Sequence, residues 1–242
     1  MQATKQLKKR AQKAPKKAPE KPVVSGTHTY LSKAKINGHT YSKRGEETFE
    51  RVMRIVATMY RERGYERTSM SALARRAGLT APAIYHYFGS KQEILASFLD
   101  YTLHDLINTV KTGIRGKDAT SKLRTFMRAL VRWQLQQTPF PEAYDRIFEL
   151  GQLRNSLPDE QRKHILTLER QFYEIIREII TEGVESGEFR NIAVSPTAFA
   201  IIAMGDYILG WYQPEGELTQ TQLADCYADL VVAMVKKGGK SG

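Results

Sequence analysis

The pattern that most restricts how this chain can fold is a helical one. Phe49, Val52, Met53, Val56, Ala57 and Tyr60 fall at i, i+3, i+4, i+7, i+8 and i+11. That spacing puts all six on one stripe of an α-helix. Gly64 supplies its stop, and Arg61 and Arg63 lie in the last turn, where cations suit the carbonyl end of a helix. Two short helices are predicted next, over about 69–77 and 80–89, closed by Gly78 and Gly89. Thr80 is placed to cap the second, and Pro82 falls in its first turn, where a missing N–H costs little. Ser90 and Glu93 have the spacing of a capping box opening a helix to about 111. Further helices are expected over 119–137, 142–154, 158–186, 195–212 and 219–237, the last opened by Thr219 and Gln222. No segment alternates with the period of two that a half-buried strand needs, so the expectation is an all-α fold of about nine helices.

Charge divides the chain further. Of 37 Lys and Arg residues, 12 lie in residues 1–44 beside one acid, Glu20; the 25 remaining bases and 25 remaining acids cancel. Residues 1–44 therefore read as a basic N-terminal arm, 45–91 as a mildly basic segment and 92–242 as a slightly acidic helical body. In the arm, lysines such as Lys8, Lys13, Lys17 and Lys21 are interrupted by Pro15, Pro19 and Pro22. With so few apolar residues to offset ordering entropy, the arm is expected to be disordered. A polyanionic partner follows, nucleic acid before anionic membrane; a merely solubilising extension is the competing reading. The apolar stretch Ala198–Gly205 falls far short of the ~20 residues that cross a bilayer, and no apolar core follows the cationic N-terminus. The single cysteine, Cys226, excludes an internal disulfide and suggests a cytoplasmic protein; its mid-helix place on an apolar face predicts burial. The five histidines have no metal-ligand spacing, and neither a phosphate-cradling glycine loop nor a Gly-x-Ser-x-Gly elbow is present. The chain reads as a non-enzyme without cofactor or metal.

Function is most legible in residues 68–88, where Gly78-Leu79-Thr80 joins two short helices in a helix-turn-helix pattern. Ala74 and Ala77 permit a close helix crossing, with Leu79 and Ile84 beneath. The second helix carries Ile84-Tyr85-His86-Tyr87-Phe88, although an amphipathic helix buries only Ile84, Phe88 and one further ring. The others offer polar tips to phosphates and base edges.

The run Thr68 to Lys91, with Gly64 before it and Leu95 after, resembles the DNA-binding domain of the tetracycline-repressor (TetR) family. The resemblance implies a dimeric, all-helical regulator that leaves double-stranded operator DNA when a small molecule binds its C-terminal domain. It places Ala81, Pro82, Ala83, Tyr85 and Tyr87 at the groove, and Ser69, Thr80, Lys91 and Arg44 at the sugar-phosphate backbone. Ala81 and Ala83 offer only apolar contact, as to thymine methyls, which leaves hydrogen-bonded base readout sparse. Tyr85 has a competing role as a cap on the small domain's core. Arg75 and Arg76 either reach DNA or are solvated. Lys91 reads as a mobile cation, and a basic arm of this length departs from most of the family.

The body suggests two further surfaces. Phe199, Ile202, Tyr207 and Trp211 wrap the eighth expected helix, and Tyr227, Leu230 and Met234 line the ninth, too apolar a set for one buried face. The resemblance makes these the homodimer interface; a buried monomer core is the competing reading. Phe126, Trp133, Tyr144, Phe148, Leu150, Phe172, Tyr173 and Ile176 form an aromatic set able to line an effector pocket, with core packing an equal explanation for each one singly. The run Gly210-Trp-Tyr-Gln-Pro-Glu-Gly216 is similar to a stretch in relatives that sense acyl-coenzyme A; Arg128, Arg132 and Arg146 either meet its phosphates or are solvated. An architectural protein held on any DNA by its arm is the alternative function.

Overall fold

The computed structural model describes residues 43–137 and 153–237. Among them are eight α-helices: α1 Lys43–Arg63, α2 Met70–Arg76, α3 Ala81–Tyr87, α4 Lys91–Gly113, α5 Ala119–Gln137, α6 Asp159–Glu185, α7 Val194–Asp206 and α8 Gln220–Val235. The expected helix over 142–154 lies outside the described residues apart from its end, where a 3-10 turn spans Arg154–Ser156. No strand occurs among the described residues; Phe189 and Lys236 make one isolated bridge.

Short-range chemistry sets most helix ends. Ser90 Oγ accepts from the Glu93 N–H at 3.1 Å, while the Glu93 carboxylate accepts from the Gly89 N–H at 2.9 Å. At α8 the box is complete, Thr219 and Gln222 each accepting the other's backbone N–H, at 3.3 and 2.9 Å respectively. α6 starts without a side-chain cap, but Asp159 and Glu160 complement the dipole of its first turn. The eighth expected helix ends early: α7 stops at Asp206 and a 3-10 turn covers Tyr207–Gly210. At that end α7 presses on α5, since a Cβ on Gly205 would lie 2.7 Å from Leu130 Cδ2.

Packing follows apolar stripes. α1 buries Phe49, Val52, Met53, Val56, Met59 and Tyr60 over α2, α3 and the start of α4. Tyr60 meets Tyr65 and Phe98 edge-on, each at 5.6 Å between ring centres, so the N-terminal part of α4 belongs to this small core. Beyond it, α4 packs on α5 and α6, and α5 also carries α7 and α8. The expected division between residues 91 and 92 thus falls in the first turn of a helix that serves both halves.

Candidate nucleic-acid interface

A closed backbone motif makes the turn between α2 and α3. The Gly78 N–H bonds the Arg75 carbonyl at 3.2 Å and the Leu79 N–H bonds the Ala74 carbonyl at 2.9 Å. Gly78 has φ +65°, the left-handed conformation this helix ending requires. Ala74 and Ala77 are buried at the crossing, and Ile84 and Phe88 are fully buried beneath α3. Ser69 caps α2 by accepting from the Ala72 N–H at 3.2 Å, and Thr80 caps α3 by accepting from the Ala83 N–H at 3.3 Å.

With Ile84 and Phe88 inward, the outer face of α3 is fixed. Ala81, Pro82, Tyr85 and His86 are exposed, whereas Ala83 and Tyr87 are half-buried. Tyr85 is 53% exposed and does not cap the core. Tyr87 packs against the core, its ring 6.1 Å from that of His86. Arg44 is exposed in the first turn of α1, and Ser69 and Thr80 are exposed at their helix starts.

The flanking cations differ from expectation. Lys91 is held rather than mobile: its Nζ donates to the Glu66 carbonyl at 3.0 Å, stands 3.8 Å from the Glu66 carboxylate and lies 4.1 Å from the centre of the Tyr65 ring. Arg76 forks onto the Glu62 carboxylate of α1 at 2.5 and 2.8 Å, which holds its guanidinium firmly charged. Arg75 is exposed. Sequence spacing could not reveal Glu62, Tyr65 or Glu66 as partners, because they act across elements.

In the body, all seven residues expected at a partner surface lie on the outside or near it. Phe199 and Tyr207 are 62% and 60% exposed, Trp211 and Leu230 are exposed, and Ile202, Tyr227 and Met234 are half-buried. Trp211 stacks on Tyr227 at 6.4 Å. The run containing Trp211 closes as a turn in which the Gly216 N–H bonds the Gln213 carbonyl at 2.9 Å. Cys226, expected to be buried, is exposed instead, because the apolar face it occupies is the outward one.

The aromatic set divides. Phe126 and Phe172 stack in the core at 6.1 Å, Ile176 is buried, and the Trp133 Nε1–H donates to Asp105 at 2.7 Å. Burial raises the Asp105 carboxyl above its ordinary range, and the Trp133 bond partly offsets that. Tyr173 instead stacks on Phe199 at 4.8 Å, beside the outward apolar face. Tyr144, Phe148, Leu150 and Arg146 lie outside the described residues. Arg128 is paired with Asp225 at 2.6 Å, and Arg132 is exposed. At the end of α7, Asp206 is exposed as a residue, but its carboxyl turns inward to accept from the buried Gln134 amide at 2.6 Å, and the local desolvation pushes it up to about 6.

An outward helix on a glycine-turned pair, carried by a helical body with an exposed apolar face, defines a DNA-binding regulator of the helix-turn-helix class. Known proteins agree. Residues 57–98 match the family "Bacterial regulatory proteins, tetR family", and residues 116–235 match "Tetracyclin repressor-like, C-terminal domain". A TetR family transcriptional regulator, PfmR from Thermus thermophilus, is 32% identical, over 76% of this chain and 97% of its own, with a TM-score of 0.64. The transcriptional repressor KstR2 of Rhodococcus jostii is 26% identical over 198 residues, 80% of this chain and 92% of its own. AibR, solved with isovaleryl coenzyme A and operator DNA, is 21% identical and covers 78% of this chain and 98% of its own, with a TM-score of 0.65. The chain belongs to the TetR family of regulators.

Proposed function

We propose that this protein is a homodimeric repressor that holds a pseudo-palindromic operator and leaves it when an acyl-coenzyme A thioester binds the C-terminal body. The outward face of α3 carries the reading: four neighbouring residues, Ala81, Pro82, Tyr85 and His86, are presented to solvent on a helix locked from below. Exposed Ser69, Thr80 and Arg44 suit phosphate contacts on either side, with Lys91 a further phosphate candidate and half-buried Ala83 and Tyr87 further groove candidates. Two such helices joined through the Phe199–Leu230 face would read two half-sites about one helical turn apart. The effector assignment draws on the AibR complex and on the Trp211–Gly216 run. Its pocket would use Phe126, Trp133, Phe172 and Ile176. The protein acts in the cytoplasm, without membrane or enzymatic chemistry.

Footprinting on genomic fragments, followed by an acyl-coenzyme A series, tests the proposal. Protection of one short inverted repeat, relieved by one chain-length class of thioester, is the expected result. Uniform coating of every duplex would favour an architectural protein instead.

A further inference from the structure

The outward face of α3 has an unusual chemistry for a helix that selects sequence. Between Leu79 and Ser90 there is no Arg, Lys, Asn, Gln, Asp or Glu, the residue types that pair with base edges most specifically. The nearest cations on either side do not make up the deficit. Arg76 is committed to both oxygens of Glu62, and Lys91 to the Glu66 carbonyl and the Tyr65 ring. The Thr80 hydroxyl oxygen accepts the Ala83 N–H. Hydrogen-bonding tips on the exposed face come from Tyr85 and His86, one turn further along, while Ala81 and Pro82 present a methyl and a ring methylene surface.

In the major groove each base edge shows donors and acceptors, and thymine alone adds an apolar group, its C5 methyl. Against any other edge, the Ala81–Pro82 surface would desolvate a polar group without replacing its hydrogen bond, a net cost. We propose that the Ala81–Pro82 edge of α3 selects thymine by its methyl group, so that part of each half-site is read by apolar contact. This rests on the assignment of α3 as the reading helix and adds which base feature it takes.

The test uses the full-length protein and duplexes selected from a random pool at fixed ionic strength. Each thymine of the selected half-site is replaced in turn by deoxyuridine, which deletes only the methyl. At one or two positions binding is expected to weaken about fourfold per half-site, the loss that one buried methyl predicts. In a Pro82→Ala protein with unchanged melting, the penalty at the thymine that Pro82 covers is expected to fall toward onefold, and a second penalty, where there is one, to persist. Selected half-sites without thymine, or uracil tolerated at every thymine by the wild-type protein, overturn the inference and leave the assignment of α3 intact. A pool that yields no preferred sequence overturns that assignment itself.

Discussion

At the scale of single residues, burial separates side chains that hold the fold from those that act on a partner. Tyr85 is half-exposed on a helix secured by Ile84 and Phe88, so truncating its ring removes little packing. Tyr85→Ala is expected to leave the melting temperature and the dimer unchanged. A base contact worth about 1–2 kcal/mol, lost in both half-sites, would lower operator affinity about 30- to 1000-fold. Titration of binding and calorimetry on one preparation check both halves; retained operator affinity would remove α3 from the groove. Asp206 poses a different problem, with its carboxyl pushed up to about 6 beside Gln134. The folded state holds this proton more tightly than the unfolded chain, so stability falls as pH rises from about 4 through 6 and the cost is complete above that. Asp206→Asn keeps an acceptor for Gln134 and removes the charge. Because Asp206 as a residue still meets solvent, the gain should be no more than a degree or two in melting temperature at pH 7.5, with little change at pH 4, as thermal melts across that range would show.

At the scale of elements, the turn between α2 and α3 is the decisive joint. Gly78 sits at φ +65° with nothing within 4 Å of the position a Cβ would take, so Gly78→Ala costs only backbone strain. About 1–2 kcal/mol is expected, measurable by urea unfolding, with operator affinity reduced only as far as α3 tilts. Features of this kind are readable in the sequence because they are local. Glycine stops at Gly64 and Gly78, caps at Ser69, Thr80 and Ser90, and the box at Thr219 each involve residues a few positions apart. Apolar periodicity likewise gives α1 its buried stripe, with Met59 added by the structure. What spacing cannot convey is long-range: the Glu62–Arg76 fork spans 14 residues, and Lys91 reaches back 25 to Glu66. Cys226 departs from expectation for a related reason, because an apolar stripe has no label saying whether it faces its own core or a second molecule.

At the scale of the whole molecule, that stripe and the basic arm carry separate predictions. Phe199 and Leu230 are exposed in the protomer, so charging them removes little internal packing beyond the stack of Phe199 on Tyr173. A Phe199→Asp, Leu230→Glu protein should stay helical by circular dichroism yet sediment as a monomer, with operator affinity down by two orders of magnitude or more as the second half-site is lost. Unchanged sedimentation would locate the partner surface elsewhere. The arm tests a different force. Residues 1–40 hold 10 of the chain's bases and one acid, so two arms bring roughly twenty cations to one duplex. Each phosphate they neutralise adds about 0.9 to the slope of log K against log salt. If each arm covers only three phosphates, deleting residues 1–40 from both protomers should flatten the slope by about five. Contacts to phosphate carry no base information, so the ratio of operator to random-sequence affinity should survive the deletion. An arm that only solubilises would leave the slope unchanged. A protein that only coats DNA would have no ratio to preserve, so one salt titration of two proteins on two duplexes separates the three.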